Sequence, residues 1–230
     1  MRYSLLSAVA AGFAAFLATS PAMSADCASM PGVGIDWQDC PKRGIIIRES
    51  NLSRANLVET DFTSTDLRNS NLDGANLEGA TLVRSSLAGS SAKGANFAKV
   101  EGYRTDFSGV DAQGSAFVNA ELQRVDFSGA NLVGTSFEKA ELGRANFKNA
   151  DLTGSRFTLA NLTRADLSKA KFTGPLDFSN AFFYLTRLAG LDLSAATGLT
   201  QYQIDMACGD AETRLPAGLI SPASWPCQLD

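Results

Sequence analysis

The chain has 230 residues, with 20 basic and 24 acidic side chains for a formal net charge of −4, and no histidine. That length suits one sizeable domain, and no internal linker divides it. The near balance of charge argues against a dedicated nucleic-acid binder, and the lack of histidine removes the commonest general base and metal ligand.

Residues 1–25 read as a secretory signal. Arg2 supplies a short positive start, Leu5 to Ala18 is almost wholly apolar, and Pro21 precedes small residues at Ala22, Ser24 and Ala25. The apolar run is shorter than the roughly 20 residues of a membrane-spanning helix. Cleavage is expected near Ser24 or Ala25, giving a periplasmic or secreted protein with no membrane span; an uncleaved anchor is the rival reading. Asp26 stands before Cys27, where a lipid-attachment site needs a small neutral residue.

Four cysteines remain after the signal: Cys27, Cys40, Cys208 and Cys227. Three connectivities are open, and an oxidising compartment favours disulfides over free thiols. Closeness in sequence favours Cys27–Cys40 and Cys208–Cys227. A zinc site is disfavoured because the spacings do not suit paired Cys-x-x-Cys knuckles.

A five-residue period runs through the middle. Stepping by five from Leu52 to Phe172 samples 25 positions, of which 22 are Leu or Phe; the exceptions are Ala92, Gly102 and Ala112. Two residues before each stands nearly always a small side chain, such as Ala55, Thr60 or Ala75, and the residue between is usually Asn, Asp or another polar type. Five fits neither the helical period of 3.6 nor the strand alternation of 2, but it fits stacked repeats. The runs Ala75-Asn76-Leu77, Ala130-Asn131-Leu132, Ala150-Asp151-Leu152 and Ala165-Asp166-Leu167 closely resemble the A(N/D)LXX pattern of the pentapeptide-repeat family. That resemblance spans about residues 45 to 195. It implies an all-β fold, a right-handed quadrilateral parallel β-helix with twenty residues per coil.

In such a coil, residues ten apart oppose each other. Ala92 faces Gly102 while Phe97 faces Phe107, and Ala112 faces Leu122 while Phe117 faces Phe127, so volume lost on one axis is regained on the other. The frame slips by one at Gly174-Pro175 and resumes at Phe178, Phe183, Leu188 and Leu193. Counting from Ile47, about seven and a half coils at ~4.8 Å each make a rod of about 36 Å. Residues 26–44 are expected to cap its N-terminal end, 45–197 to form the β-helix, and 198–230 to form a C-terminal cap of helix and loop. Thr200 and Gln203 make a capping box, Leu199 and Ile204 a hydrophobic staple, and Gly209 a helix stop.

No catalytic, cofactor-binding or metal motif is present, and the Asp and Asn residues recur at multiples of five, as repeat positions do. A non-catalytic protein without cofactor is expected. Arg84, Arg104, Arg124, Arg144 and Arg164 recur every twenty residues, which places them in one column. Glu101, Glu121 and Glu141 lie three residues before an arginine, and Asp106, Asp126 and Asp166 two after. A self-neutralised salt-bridge ladder is the favoured reading of this column. The other is an anion- or partner-binding edge, with Tyr103 beside it. Phe182 and Tyr184 are expected beneath the C-terminal cap, with a contact between two copies as the alternative.

The functional expectation is an extracytoplasmic scaffold or binding module that presents repeat faces to a protein or an anionic envelope polymer. The resemblance also implies an alternative, a DNA mimic that binds DNA gyrase and protects it from drugs. Residues 48–173 oppose that with 15 basic and 15 acidic side chains, where a mimic needs a strongly negative stripe.

Overall fold

The structure is a computed structural model and describes residues 25–227. Residues 1–24 of the expected signal sequence therefore lie outside the described residues. A β-turn recurs every five residues, and single-pair parallel bridges join residues twenty apart, as in Asn56↔Asn76, Asn76↔Asn96 and Asn96↔Ala116. Twenty residues thus make one coil carrying four turns, and each coil lies directly on the last.

The backbone explains the repeat. In the segment 76–80, the Asn76 N–H donates to Ala55 O of the preceding coil at 2.9 Å, while those of Leu77 and Gly79 donate to Asn96 O and Ala98 O of the following one. The Ala80 N–H closes the turn onto Leu77 O at 2.9 Å. Only the Glu78 N–H is left, and it donates to Oδ1 of Asn76 at 3.2 Å. The same cap recurs at Ala98 on Asn96, Ser128 on Asp126, Thr153 on Asp151 and Ser168 on Asp166. Asn or Asp before the Leu or Phe is therefore the side chain that satisfies the fifth donor, an Asx turn in the units named here.

Inside, the Leu or Phe of each unit from Leu52 to Leu167 is fully buried, and the small residue two before it fills the remaining space. Several of the small residues are Thr or Ser whose hydroxyl donates to a carbonyl of the preceding coil, as Thr105 does to Leu82 O at 2.7 Å and Thr135 to Ala112 O at 2.9 Å. Phenylalanines form two columns. Phe97, Phe117, Phe137 and Phe157 stack with ring centroids 4.6 to 5.2 Å apart. Phe107, Phe127 and Phe147 stack at 5.0 and 5.3 Å, and the two columns meet edge to face. The expected opposition of Phe97 with Phe107 and Phe117 with Phe127 is thus met, at 5.6 and 5.4 Å. The gap at Gly102 is filled by Leu122, whose Cδ2 lies 2.7 Å from where a Cβ on Gly102 would stand.

After Asp151↔Lys171 the bridge interval rises to 21 residues, beginning at Arg156↔Asp177, so one extra residue enters around Gly174-Pro175. There β1 (Leu176–Asp177) pairs in parallel with β2 (Ala196–Thr197).

Both ends differ in detail from expectation. The coil pattern extends back through 36–44, with Asp36↔Asn56 and Pro41↔Asp61 already bridged, so these residues form a coil as well as an end. Trp37 and Lys42 occupy inward positions of that coil, the lysine Nζ 3.7 Å from the Trp37 ring centroid and donating to Cys27 O at 2.7 Å. Burial lowers the Lys42 pKa from its ordinary value, partly opposed by Asp26. Pro41 stands at an outward bridge position of this first coil, where it has no N–H to leave unpaired. Cys27 and Cys40 are joined, with Cα atoms 5.3 Å apart.

At the other end α1 (Gln201–Met206) carries the expected capping box between Thr200 and Gln203. The buried Gln203 amide also donates to Phe178 O and Ala181 O, covering carbonyls of the last full coil. The helix stops at Ala207, whose backbone is extended, and Gly209 is not the stop. Gly209 instead makes room for Trp225, whose ring carbons lie 2.2 to 2.6 Å from where its Cβ would stand. Beyond the helix the chain resumes coil-like pairing at Arg187↔Cys208 and Asp192↔Arg214, then returns to the Cys208–Cys227 disulfide.

Candidate binding edge

The five ladder arginines all occupy the second turn position, with φ between 57° and 60°. This is the left-handed region, which costs a non-glycine residue about 1 kcal/mol or more. A residue so placed at a turn projects its side chain away from the stack, and all five are exposed. Adjacent members of the column are one coil apart, ~4.8 Å.

The salt-bridge ladder expected here does not form. Among the described residues none of the five arginines has a carboxylate oxygen within 4.0 Å, whereas eight other ion pairs do, including Lys99–Glu78, Lys148–Asp166 and Arg187–Asp166. The reason is local. Asp106, Asp126 and Asp166 turn forward to cap the N–H two residues later, away from the arginine two residues before. Glu101, Glu121 and Glu141 are too long for that cap and extend from the adjoining face, where they are exposed. Of the three, only Glu141 accepts a side-chain hydrogen bond, from Asn161 at 2.8 Å. Tyr103 lies beside the column with its ring centroid 5.2 Å from the Arg104 guanidinium carbon.

Sequence spacing thus located the column correctly and misjudged its neighbours, because distance along the chain does not say which way an aspartate turns. The edge holds two columns of unpaired charge, one basic and one acidic, side by side.

Phe182 and Tyr184 also depart from expectation. They are 46% and 48% exposed, not covered by the cap. Phe182 occupies the outward bridge position above Asn161, and α1 places Tyr202 and Met206 beside it. An open groove of about 240 Å³ between Phe182 and the helix includes Asn180 and Thr200 in its lining. Among the described residues there is no cluster of three or more side chains suited to hold a metal, and no helix is long and apolar enough to cross a membrane.

The pentapeptide-repeat family matches the chain in eight copies, over residues 45–84, 70–101, 103–138 and 140–174, more than half its length. No curated protein matches the sequence. Among solved structures, full-length QnrB1, a plasmid-mediated fluoroquinolone resistance protein, is similar with a TM-score of 0.66 at 16% identity, covering 79% of this chain and 91% of QnrB1. HetL of Nostoc sp. strain PCC 7120, a pentapeptide repeat protein involved in heterocyst differentiation regulation, matches at 21% identity with a TM-score of 0.35, covering 82% of this chain and 86% of HetL. The likeness to QnrB1 extends to the fold alone. With the repeat matched over most of the stack and the coil geometry in place, the chain belongs to the pentapeptide-repeat family and folds as a right-handed β-helix.

Proposed function

We infer that this protein is a non-catalytic scaffold or binding module working outside the cytoplasm, with a four-sided stack that presents its outer faces to a partner protein or an anionic envelope polymer. The observation that carries this reading is the exposed arginine column, which makes no ion pair among the described residues. Unpaired guanidinium groups in a fixed row suit carboxylate or phosphate recognition. The backbone holds the row in place, so a partner need not order it. Two disulfides and the signal-like start at residues 1–25 support export.

The test is binding of the full chain to an immobilised polyanion such as heparin, compared with Arg124→Ala/Arg144→Ala. Loss of retention in the variant supports the reading; unchanged retention, or none in either protein, removes the anionic partner. Intact mass of unreduced protein from separate cell fractions tests the compartment. A periplasmic species cut near Ala25 with both disulfides intact supports export, and a full-length cytoplasmic species overturns it. In that event gyrase binding becomes the reading to pursue, although the balanced charge of residues 48–173 opposes it.

A further inference from the structure

We propose that the edge formed by the arginine column and the adjoining glutamate column is the contact between two copies of this chain, lying side by side and parallel. This rests on reading the arginines as a partner surface and names that partner.

The argument is layer by layer. Each coil contributes three outward residues here: one on the face and the two turn residues after it. Ascending, these are Thr81, Val83 and Arg84; Glu101, Tyr103 and Arg104; Glu121, Gln123 and Arg124; Glu141, Gly143 and Arg144; Asn161, Thr163 and Arg164; then Phe182, Tyr184 and Leu185. In the first of these coils the outer two members are Thr81 and Arg84. In three successive coils they are Glu and Arg. One coil higher an amide stands with Arg, and in the last coil both become apolar, with Phe182 exposed and Leu185 half-buried.

A two-fold axis parallel to the stack, passing along the middle residues, exchanges left for right at constant height. It sets Glu121 of one copy against Arg124 of the other, and Arg124 against Glu121. The same holds for residues 101 with 104 and 141 with 144, while Phe182 meets Leu185. Such an interface is self-complementary, as two-fold contacts must be. Turning the partner end for end sets glutamate against glutamate and arginine against arginine, so charge selects the parallel arrangement. Spacing selects the same partner. Stacked coils repeat at ~4.8 Å and helical turns at ~5.4 Å, so only a second stack keeps every layer in step. The charges are also available, because among the described residues none of these six groups is committed to an ion pair within its own chain.

The test is sedimentation of the full chain at low and high ionic strength, using two charge-reversed variants. One is Glu121→Arg/Glu141→Arg and the other Arg124→Glu/Arg144→Glu. The wild type should dimerise at low salt and weaken as salt screens the pairs. Each variant alone should show a dissociation constant raised about tenfold or more. An equimolar mixture of the two variants should recover the dimer, since each then meets its opposite. Gln123→Cys lies on the proposed axis and should cross-link to its own copy through a short bis-maleimide, whereas Gln113→Cys should not. Circular dichroism confirms that each variant is folded. A wild type monomeric at low salt overturns the proposal, as does a dimer unaffected by both reversals or no recovery on mixing. Heparin retention separates the two ideas: a monomer that still loses retention in Arg124→Ala/Arg144→Ala refutes the dimer and leaves the anion-binding reading standing.

Discussion

Phe117 gives the sharpest test of how the core is held. Its ring is fully buried, stacked on Phe97 at 4.6 Å and Phe137 at 5.2 Å, and edge to face with Phe107 at 5.6 Å and Phe127 at 5.4 Å. Phe62 is equally buried but has one aromatic neighbour, Trp37, at 6.5 Å. Removing a buried phenylalanine to alanine costs about 3–5 kcal/mol through lost transfer energy and the cavity left behind. Aromatic pairs add about 0.5–1.5 kcal/mol each beyond burial. Phe117→Ala loses three more such pairs than Phe62→Ala, so it should cost about 1.5 kcal/mol more even at the lower bound. Phe117→Leu keeps most of the volume and isolates the ring-specific part. Urea denaturation of the disulfide-intact protein at high ionic strength measures the difference, with equal slopes required for comparison. Equal costs for Phe117→Ala and Phe62→Ala would show that the phenylalanine columns act only as bulk, and the stacking argument would fall.

Three further outcomes follow from the turns. Asn96→Ala removes both the cap on the Ala98 N–H and the bond to Asn76, and should destabilise by about 1 kcal/mol, whereas Glu101→Ala, which caps nothing, should leave the melting temperature unchanged at high ionic strength, where charge pairs between copies are screened. At high ionic strength, where charge pairs between copies are screened, Arg124→Gly frees a residue held at φ 60° and should stabilise by about 1 kcal/mol, while Gly134→Ala, at φ 68° with open space around its Cβ position, should destabilise by a similar amount; thermal melting reads both. Acid should weaken the stack in a defined window. Arg68 holds the Asp66 carboxyl down from 3.8 to about 2, and hydrogen bonds from Ser194 and from the Gly190 N–H lower Asp192 and Asp210. Their contribution is fully present above the unfolded value of 3.8 and is lost as pH falls below it, for Asp66 towards about 2. Denaturant midpoints that stay constant from pH 5 to pH 2 would contradict it.

What could be read from the chain alone was whatever the period controls. Leu or Phe at every fifth place marks the interior, and the slip at Gly174-Pro175 appears as a one-residue change of frame. The helix announced itself through Thr200 and Gln203 because a capping box is local. The coil at 36–44 was hidden because Lys42 occupies an inward position, where its amine survives only by lying over Trp37 and bonding to a carbonyl. Gly209 was misread since its role depends on Trp225, 16 residues away, and no local pattern records that contact. The arginine column was visible by counting, but its freedom from neighbouring carboxylates was not. Whether Asp126 bonds forward to Ser128 or back to Arg124 is decided by the competing backbone N–H, which has no other acceptor.

Because one coil is four units of five residues, changes in length are not equivalent. An inserted unit of five would keep every inward and outward position correct, at the cost of the phenylalanine stacking between the coils it separates. It would also carry each later residue one column around the stack, breaking the arginine row at the point of insertion. An insertion of twenty restores the row and lengthens it by one layer. Growth of such a molecule by duplication therefore keeps its inward and outward alternation in fives, but keeps its aromatic columns and any surface that reads along its length only in twenties.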